Sequence, residues 1–394
     1  MSHIKKIDYF IFIPYIILCV IGVIMVYSAS ANINAQNGGS PFGYFIKQLS
    51  FALIGFILVM IVTSLNIKKL RSPMLLKVFG IILGIILLYL LFFGSKINGA
   101  AGWVHVGGLS IQPSEFTKFY LIILLADAIT KNQSTLLDSP KSWWKEMEKP
   151  LIITIVIIGL IFLQPDTGGA AINFMIVFIM LMASGFSSKK ALAGISAFFV
   201  AMIFLIYKVL PLLSGIKRFA NSYQFQRIIA FTQPFSHAKT SGTQLVNSYY
   251  AISNGGLFGV GLGNSVQKTG YLPEPNTDFI MAVLTEELGA IGTFCVIVLL
   301  AIIILRTIQL GVKVDDPYQS LICYGVATYL TIQALFNFGG VVGLLPITGV
   351  TFPFISYGGS SMFALALCIG LVLNISRRHS EIPLLNSAAS EEVK

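Results

Sequence analysis

One stretch, residues 271–289 (YLPEPNTDFIMAVLTEELG), carries four carboxylates where a proline-stiffened loop runs into an apolar helix. Pro273 and Pro275 fix φ and lack N–H donors, which keeps the approach extended. Asn276 or Thr277 is placed to cap the helix, which puts Asp278 in its first turn. An acid there either complements the helix dipole or is a catalytic residue. The second role is favoured because ionisable groups at a bilayer are costly and default to function. At about 100° per residue, Glu286 falls within a right angle of Asp278 and Glu287 falls opposite, so Glu286 is expected to share its surface.

Two further constellations pair charge with irregular backbone. In NGAAGWVHVGGLSIQPSEFTK (residues 98–118), Pro113 and Ser114 open a helix, with Gln112 just before it. Glu115 and Lys118 then stand three apart on one face. They either neutralise each other or offer Lys118 to an anionic ligand. Trp103 is an interfacial anchor or a platform for a sugar face. Asp166, in QPDTGG, caps the following helix or adds a carboxylate to the same side. Toward the C-terminus, GLLPITG and SYGGSS, the latter with Ser356 and Ser360, read as a re-entrant turn. Such backbone is tolerated at membrane depth only inside protein or beside a cavity.

Several chemistries are excluded. There is no phosphate loop and no zinc HExxH, and the glycines of residues 259–263 lack a strand–helix context. The four cysteines (Cys19, Cys295, Cys323, Cys368) lie in apolar runs and the four histidines are scattered, so no metal site is expected. An organic cofactor has no recognisable motif.

The elements that must position these residues are membrane spans. Hydrophobic residues make up 56% of the 394-residue chain and charged residues 11%; soluble domains carry about 25% charged residues. About ten apolar runs are near span length, at 9–29, 49–66, 73–94, 115–130, 151–165, 168–186, 191–213, 279–305, 318–340 and 357–376. The first reads as a span and not a cleavable leader. The expected fold is therefore an all-α polytopic membrane protein.

Lys and Arg concentrate in alternate loops, which places both termini in the cytoplasm. The net charge of +10 is then a property of cytoplasmic loops, not a nucleic-acid surface. External basic residues nevertheless cluster in loops 95–118 and 208–278. Residues 1–378 read as one transmembrane domain, with a large external loop (214–278) between the seventh and eighth spans and no obvious secondary structure in it. Loop 131–150, with Trp143 and Trp144 among charges, reads as interfacial. Residues 379–394 read as a disordered cytoplasmic tail.

Five collinear segments (GWVHVGGLSIQPSEFTK, QPDTGGA, NSYYAISNGGLFGVGLG, YLPEPNTDFIMAVLTEELG and GLLPITGVTFPFISYGGSS) resemble the SEDS family (shape, elongation, division and sporulation), the FtsW/RodA peptidoglycan glycosyltransferases. The wording of the last two is more similar to the division branch than to the elongation branch. The resemblance implies polymerisation of lipid II into glycan strands on the outer face of the bacterial plasma membrane, at the division septum. Asp278 matches the family's essential aspartate and is implied as the general base, with undecaprenyl pyrophosphate leaving. Lys118, Lys217, Arg218 and Lys268, or a divalent cation (magnesium or manganese), are the expected partners of the diphosphate. Trp103, Gln112, Glu115, Asp166, Thr277, Glu286, Ser356 and Ser360 are the expected remainder of the substrate site. A departure is Ala100-Ala101-Gly102, where many members carry a basic residue, which shifts the anion-binding role toward Lys118.

The implied partners are a single-span class B penicillin-binding protein, other division proteins and membrane lipid. Alternatives are an elongation polymerase, a lipid II flippase using the acids as an ion relay, and a division scaffold. Charges gathered at one face disfavour the flippase, because alternating access places its site near the midplane. A scaffold leaves Asp278 without a role.

Overall fold

The structure is a computed structural model that describes residues 7–36, 42–97, 100–107, 109–138, 140–186, 188–205, 208 and 223–392. Each expected apolar run forms a helix. In chain order these are α1 (Tyr9–Gln36), α2 (Gly43–Ser64), α3 (Pro73–Phe93), α4 (Pro113–Lys131), α7 (Glu148–Leu163), α8 (Thr167–Met182) and α9 (Ser188–Phe204). After the long loop come α12 (Ile280–Lys313), α13 (Pro317–Val341) and α14 (Gly359–Glu392). Among the described residues, six are long and apolar enough to cross a membrane: α1, α2, α3, α12, α13 and α14. The other four differ for separate reasons. α7 and α8 have 16 residues each, short of the roughly 20 a full crossing takes, and the end of the expected 191–213 run, beyond α9, lies largely outside the described residues. α4 carries Glu115, Lys118, Asp127 and Lys131.

α4 can carry those charges because it meets almost no lipid. It is buried along nearly its whole length, packed by α3, α7, α8, α13 and α14. A helix apolar on every side belongs inside a bundle. Its ionisable residues are each paired: Glu115 with Lys118 near one end, and Asp127 with Arg71 (3.0 Å) and Lys131 (2.5 Å) near the other. α2 and α3 instead present exposed rows such as Ile57 and Ile61, or Ile85 and Phe92. Exposed apolar rows of that size suit a lipid solvent.

Four local structures differ from the sequence reading. The chain is not purely helical: residues 95–111 form a three-stranded antiparallel sheet, β1 (Ser95–Ile97), β2 (Ala100–Val106) and β3 (Leu109–Ile111). Gly107 at φ 56° turns β2 into β3. Loop 131–150 holds α5 (Gln133–Asp138) and α6 (Pro140–Glu146), and Trp143 is fully buried against Trp144 and Phe186. The long loop before α12 holds α10 (Tyr223–Thr232) and α11 (Thr243–Gly255). α11 buries Leu245, Ser248, Ala251 and Gly255, a helical spacing hidden by the polar residues between them. Finally, α14 continues to Glu392, through a stretch rich in helix formers that reads as a tail.

α12 is broken at Gly289, where φ is 71°. The loop after α11 repairs the break: Val260 and Gly261 N–H donate to the Glu286 and Glu287 carbonyls, and Ala290 and Ile291 N–H donate to Gly256 and Leu257. A Cβ at Gly259 or Gly289 would strike that facing backbone. Freed groups of a broken membrane helix must find partners inside the protein, and here they do.

Candidate active site

A cavity of about 470 Å³ opens where α2, β2–β3, the starts of α4 and α8, α10 and two irregular segments converge. Its wall includes Lys47, Trp103, Gln112, Glu115, Asp166, Arg227, Glu274, Thr277, Asp278 and Ser360.

Asp278 does not sit in the helix. The turn at residues 275–279 precedes α12, and Phe279, not Asn276 or Thr277, is the capping position. Both expected caps are engaged elsewhere. Asn276 Nδ2 donates to Ser30 Oγ (3.1 Å) and Thr277 Oγ1 donates to Glu274 Oε2 (3.2 Å). The turn is held through its backbone: Asn337 Nδ2 donates to the Asp278 carbonyl (2.8 Å), Ser356 Oγ to the Thr277 carbonyl (2.7 Å), and Tyr357 N–H to the Asn276 carbonyl (2.9 Å). Those bonds leave the half-buried Asp278 carboxyl facing the cavity.

That burial pushes the Asp278 carboxyl up to about 7. The Arg227 charge and the adjacent Thr277 hydroxyl pull it down, and Glu274 pushes it further up. Desolvation is the dominant cause, as in carboxyls tuned to exchange protons near neutrality.

Asp166 is both cap and cavity residue. Its Oδ1 accepts from Gly169 N–H (2.7 Å), and its Oδ2 accepts from Gln112 Nε2 (3.1 Å) and Ser114 Oγ (3.0 Å). Burial raises this carboxyl too, against the pull of those donors and of Lys118. Ser360 Oγ accepts from Gln112 N–H (2.8 Å), which fixes the start of α4 to that of α14.

Other sequence candidates lie elsewhere. Lys118 is fully buried behind the wall; its Nζ donates to Glu115 Oε1 (2.6 Å) and lies over the Tyr329 ring, whose hydroxyl donates to Glu115 Oε2 (3.0 Å). Glu286 does not share a surface with Asp278: the turn before α12 voids the helical count from residue 278. Its carboxylate accepts from Asn254 Nδ2 (2.8 Å), the Ser265 hydroxyl and Val266 N–H (3.1 Å). Lys268 is buried against Glu287 (2.6 Å) and Ser28 (2.9 Å), beside a separate pocket along α1. Ser356 is buried and ties two loops together. Lys217 and Arg218 lie outside the described residues.

The cations that do line the cavity, Lys47 and Arg227, were not singled out from sequence, and neither was Glu274. Arg227 stands out only as an external basic residue among aromatic neighbours. Its Nη1 donates to the Ile347 carbonyl (3.3 Å), a contact between segments 120 residues apart that no local spacing announces.

Residues 9–381 match the family of cell cycle proteins grouping FtsW, RodA and SpoVE. The probable peptidoglycan glycosyltransferase FtsW of Bacillus subtilis (strain 168) is 39% identical, covering 94% of this chain and 91% of that protein. A solved chain from a peptidoglycan synthase complex, in a study of coordinated polymerization and crosslinking, aligns at TM-score 0.73 and 25% identity over 95% of this chain and 98% of its own. The rod shape determining protein RodA of Thermus thermophilus shares the fold at TM-score 0.65 and 24% identity, over 95% and 97%. The chain is a member of the FtsW, RodA and SpoVE family of cell cycle proteins, built as a multi-pass membrane protein.

Proposed function

We propose that the chain is an inverting, membrane-embedded peptidoglycan glycosyltransferase of the division type that polymerises lipid II into glycan strands. The observation that carries this reading is Asp278: a carboxyl poised near neutrality, held by its backbone, facing a cavity lined by an aromatic ring and two cations. A sugar hydroxyl is a weak nucleophile, so a positioned base must take its proton. In the reaction the acceptor 4-hydroxyl loses its proton to the Asp278 carboxylate as its oxygen bonds the donor's anomeric carbon. The bond from that carbon to the diphosphate breaks, and undecaprenyl diphosphate leaves with the electron pair. One displacement inverts the centre and needs no second nucleophilic carboxylate; the two-carboxylate scheme of glycosidases is an analogy only.

Lys47 and Arg227 are the wall cations suited to the departing charge. They replace Lys118 and Lys268 in that role, since both ammonium groups are consumed by buried carboxylates. Among the described residues no group of three or more acidic, His or Cys side chains is placed to cage a metal. A magnesium or manganese ion in this reading would travel on the diphosphate, and no step is routed through it. The reaction calls for no organic cofactor.

The cavity belongs on the outer face in this reading. Glu115 lines it, while Asp127, twelve residues and about 18 Å further along α4, is gripped by Arg71 and Lys131, the charge expected on a cytoplasmic side. Both termini are then cytoplasmic, residues 214–278 are external, and lipid tails run between the helices. The septum is the proposed site of action. The proposed partner is a class B penicillin-binding protein within the division machinery, consistent with the solved synthase complex.

The test is glycan formation from purified lipid II by reconstituted wild type and Asp278→Asn, with the partner transpeptidase present. Polymer from wild type and none from a folded variant is expected. Polymer from both removes Asp278 as the base. Polymer from neither removes the polymerase reading, and lipid II movement across vesicles becomes the alternative to measure.

A further inference from the structure

We infer that Gly349 is a positioning residue: its missing side chain leaves the space in which the Arg227 guanidinium faces the Asp278 carboxylate, and that pairing keeps Asp278 ionised and ready to take a proton. The inference deepens the reaction proposed above and rests on it.

Two separate features require glycine here. The backbone has φ 73°, where a side chain is strained. Independently, a Cβ at this position would stand 3.2 Å from both Arg227 Nη1 and Asp278 Oδ2, and 3.7 Å from Arg227 Nη2. The two side chains therefore converge on the same small volume from different elements, α10 and the turn before α12. Both are also tethered to the loop that contains the glycine. Arg227 Nη1 donates to the Ile347 carbonyl (3.3 Å), and Asn337 Nδ2 donates at 2.8 Å both to the Asp278 carbonyl and to that of Val350. Gly349 is thus the spacer between two groups whose anchors lie on either side of it.

The charges around Asp278 make this pairing decisive. Glu274, in its own loop, opposes ionisation, as does burial. From the other elements of the wall, α2 brings Lys47, α4 brings Glu115 and the α8 cap brings Asp166. Arg227 is the cation that shares the Gly349 gap. An opposite charge at such range moves a carboxyl by about one to three pH units.

The experiment is the pH profile of kcat/KM for polymerisation, with Asp278→Asn as the inactive baseline. Arg227→Gln is expected to lower the rate uniformly, through the departing diphosphate, and in addition to move the acid limb upward by about one pH unit or more. Arg227→Lys, which keeps the charge, is expected to leave the limb near wild type. Gly349→Ala, which crowds both side chains by a few tenths of an ångström, is expected to shift it in the same direction as Arg227→Gln and by less. A uniform loss in Arg227→Gln with an unmoved limb would overturn the inference, since a substrate contact or a packing role predicts that pattern. If Arg227→Gln does not fold, the limb of Gly349→Ala decides alone. Wild type without polymer, or an active Asp278→Asn, would instead count against the polymerase reading.

Discussion

Asp278 and the pair Glu286–Glu287 lie within ten residues of each other and share an apolar setting, yet the structure treats them in opposite ways. Glu286 and Glu287 are almost fully buried and each is ringed by donors: Asn254, Ser265 and a backbone N–H for one, Lys268 and Ser28 for the other. Asp278 has its backbone fixed by Asn337 while its carboxyl looks into a cavity. A buried carboxylate whose lone pairs are all met is a rivet. One that is held in place but left facing open space has capacity for an incoming proton. Burial alone does not distinguish structure from chemistry; the distribution of partners does.

The contrast can be broken most directly at Asp278. Asp278→Asn should reduce polymer formation by about 10²–10⁴-fold while leaving the thermal midpoint of the solubilised protein close to wild type. Equal losses of activity and stability would erase the distinction. Glu287→Gln should do the reverse. Leaving the Lys268 ammonium buried without its carboxylate should cost about 3–5 kcal/mol, read as a lowered midpoint. The double variant Glu287→Leu with Lys268→Met should recover most of it.

A smaller effect belongs to Ser265→Ala, which removes one donor to Glu286 and should cost about 1–3 kcal/mol of stability, with kcat/KM unchanged in the folded fraction. The finest test is pH. Because the proposed base must be ionised to act and the Asp278 carboxyl is raised to about 7, activity should climb through neutrality. It should fall about tenfold per unit below that point, while the thermal midpoint rises as pH falls through the same range, because the folded state takes up the Asp278 proton before the unfolded chain does. An acid limb near pH 4 would mean that the wall does not tune this carboxyl.

What the sequence discloses follows from the reach of each cause. Apolar runs are written locally, so the helices from α1 to α14 that cross or nearly cross could be located without coordinates. Pro113 at the start of α4 and the Asp166 cap are equally local. The pairing of Glu115 with Lys118 was visible as spacing, but their depth was not, because burial of α4 depends on five other helices. Counting by helical angle from Asp278 to Glu286 failed because Asn276 and Thr277 bond to Ser30 and Glu274, which delays the helix past residue 278. Arg227 and Lys47 reach the cavity only through tertiary packing. The small sheet of residues 95–111 was obscured by its glycines and alanines, which signal a loop more strongly than a strand.

The break at Gly289 has a mechanical consequence. The first turns of α12, which follow directly from Asp278, are spliced to residues 256–261 by four main-chain hydrogen bonds. Peptide groups make that splice, so force travels through it whatever side chains the long loop carries, provided its close-packed glycines stay. Glu286 and Glu287 add cross-struts from the same turns to residues 265–268. Residues 256–268 and the turn that carries Asp278 are therefore mechanically joined, and a protein that grips this loop would hold a lever on Asp278.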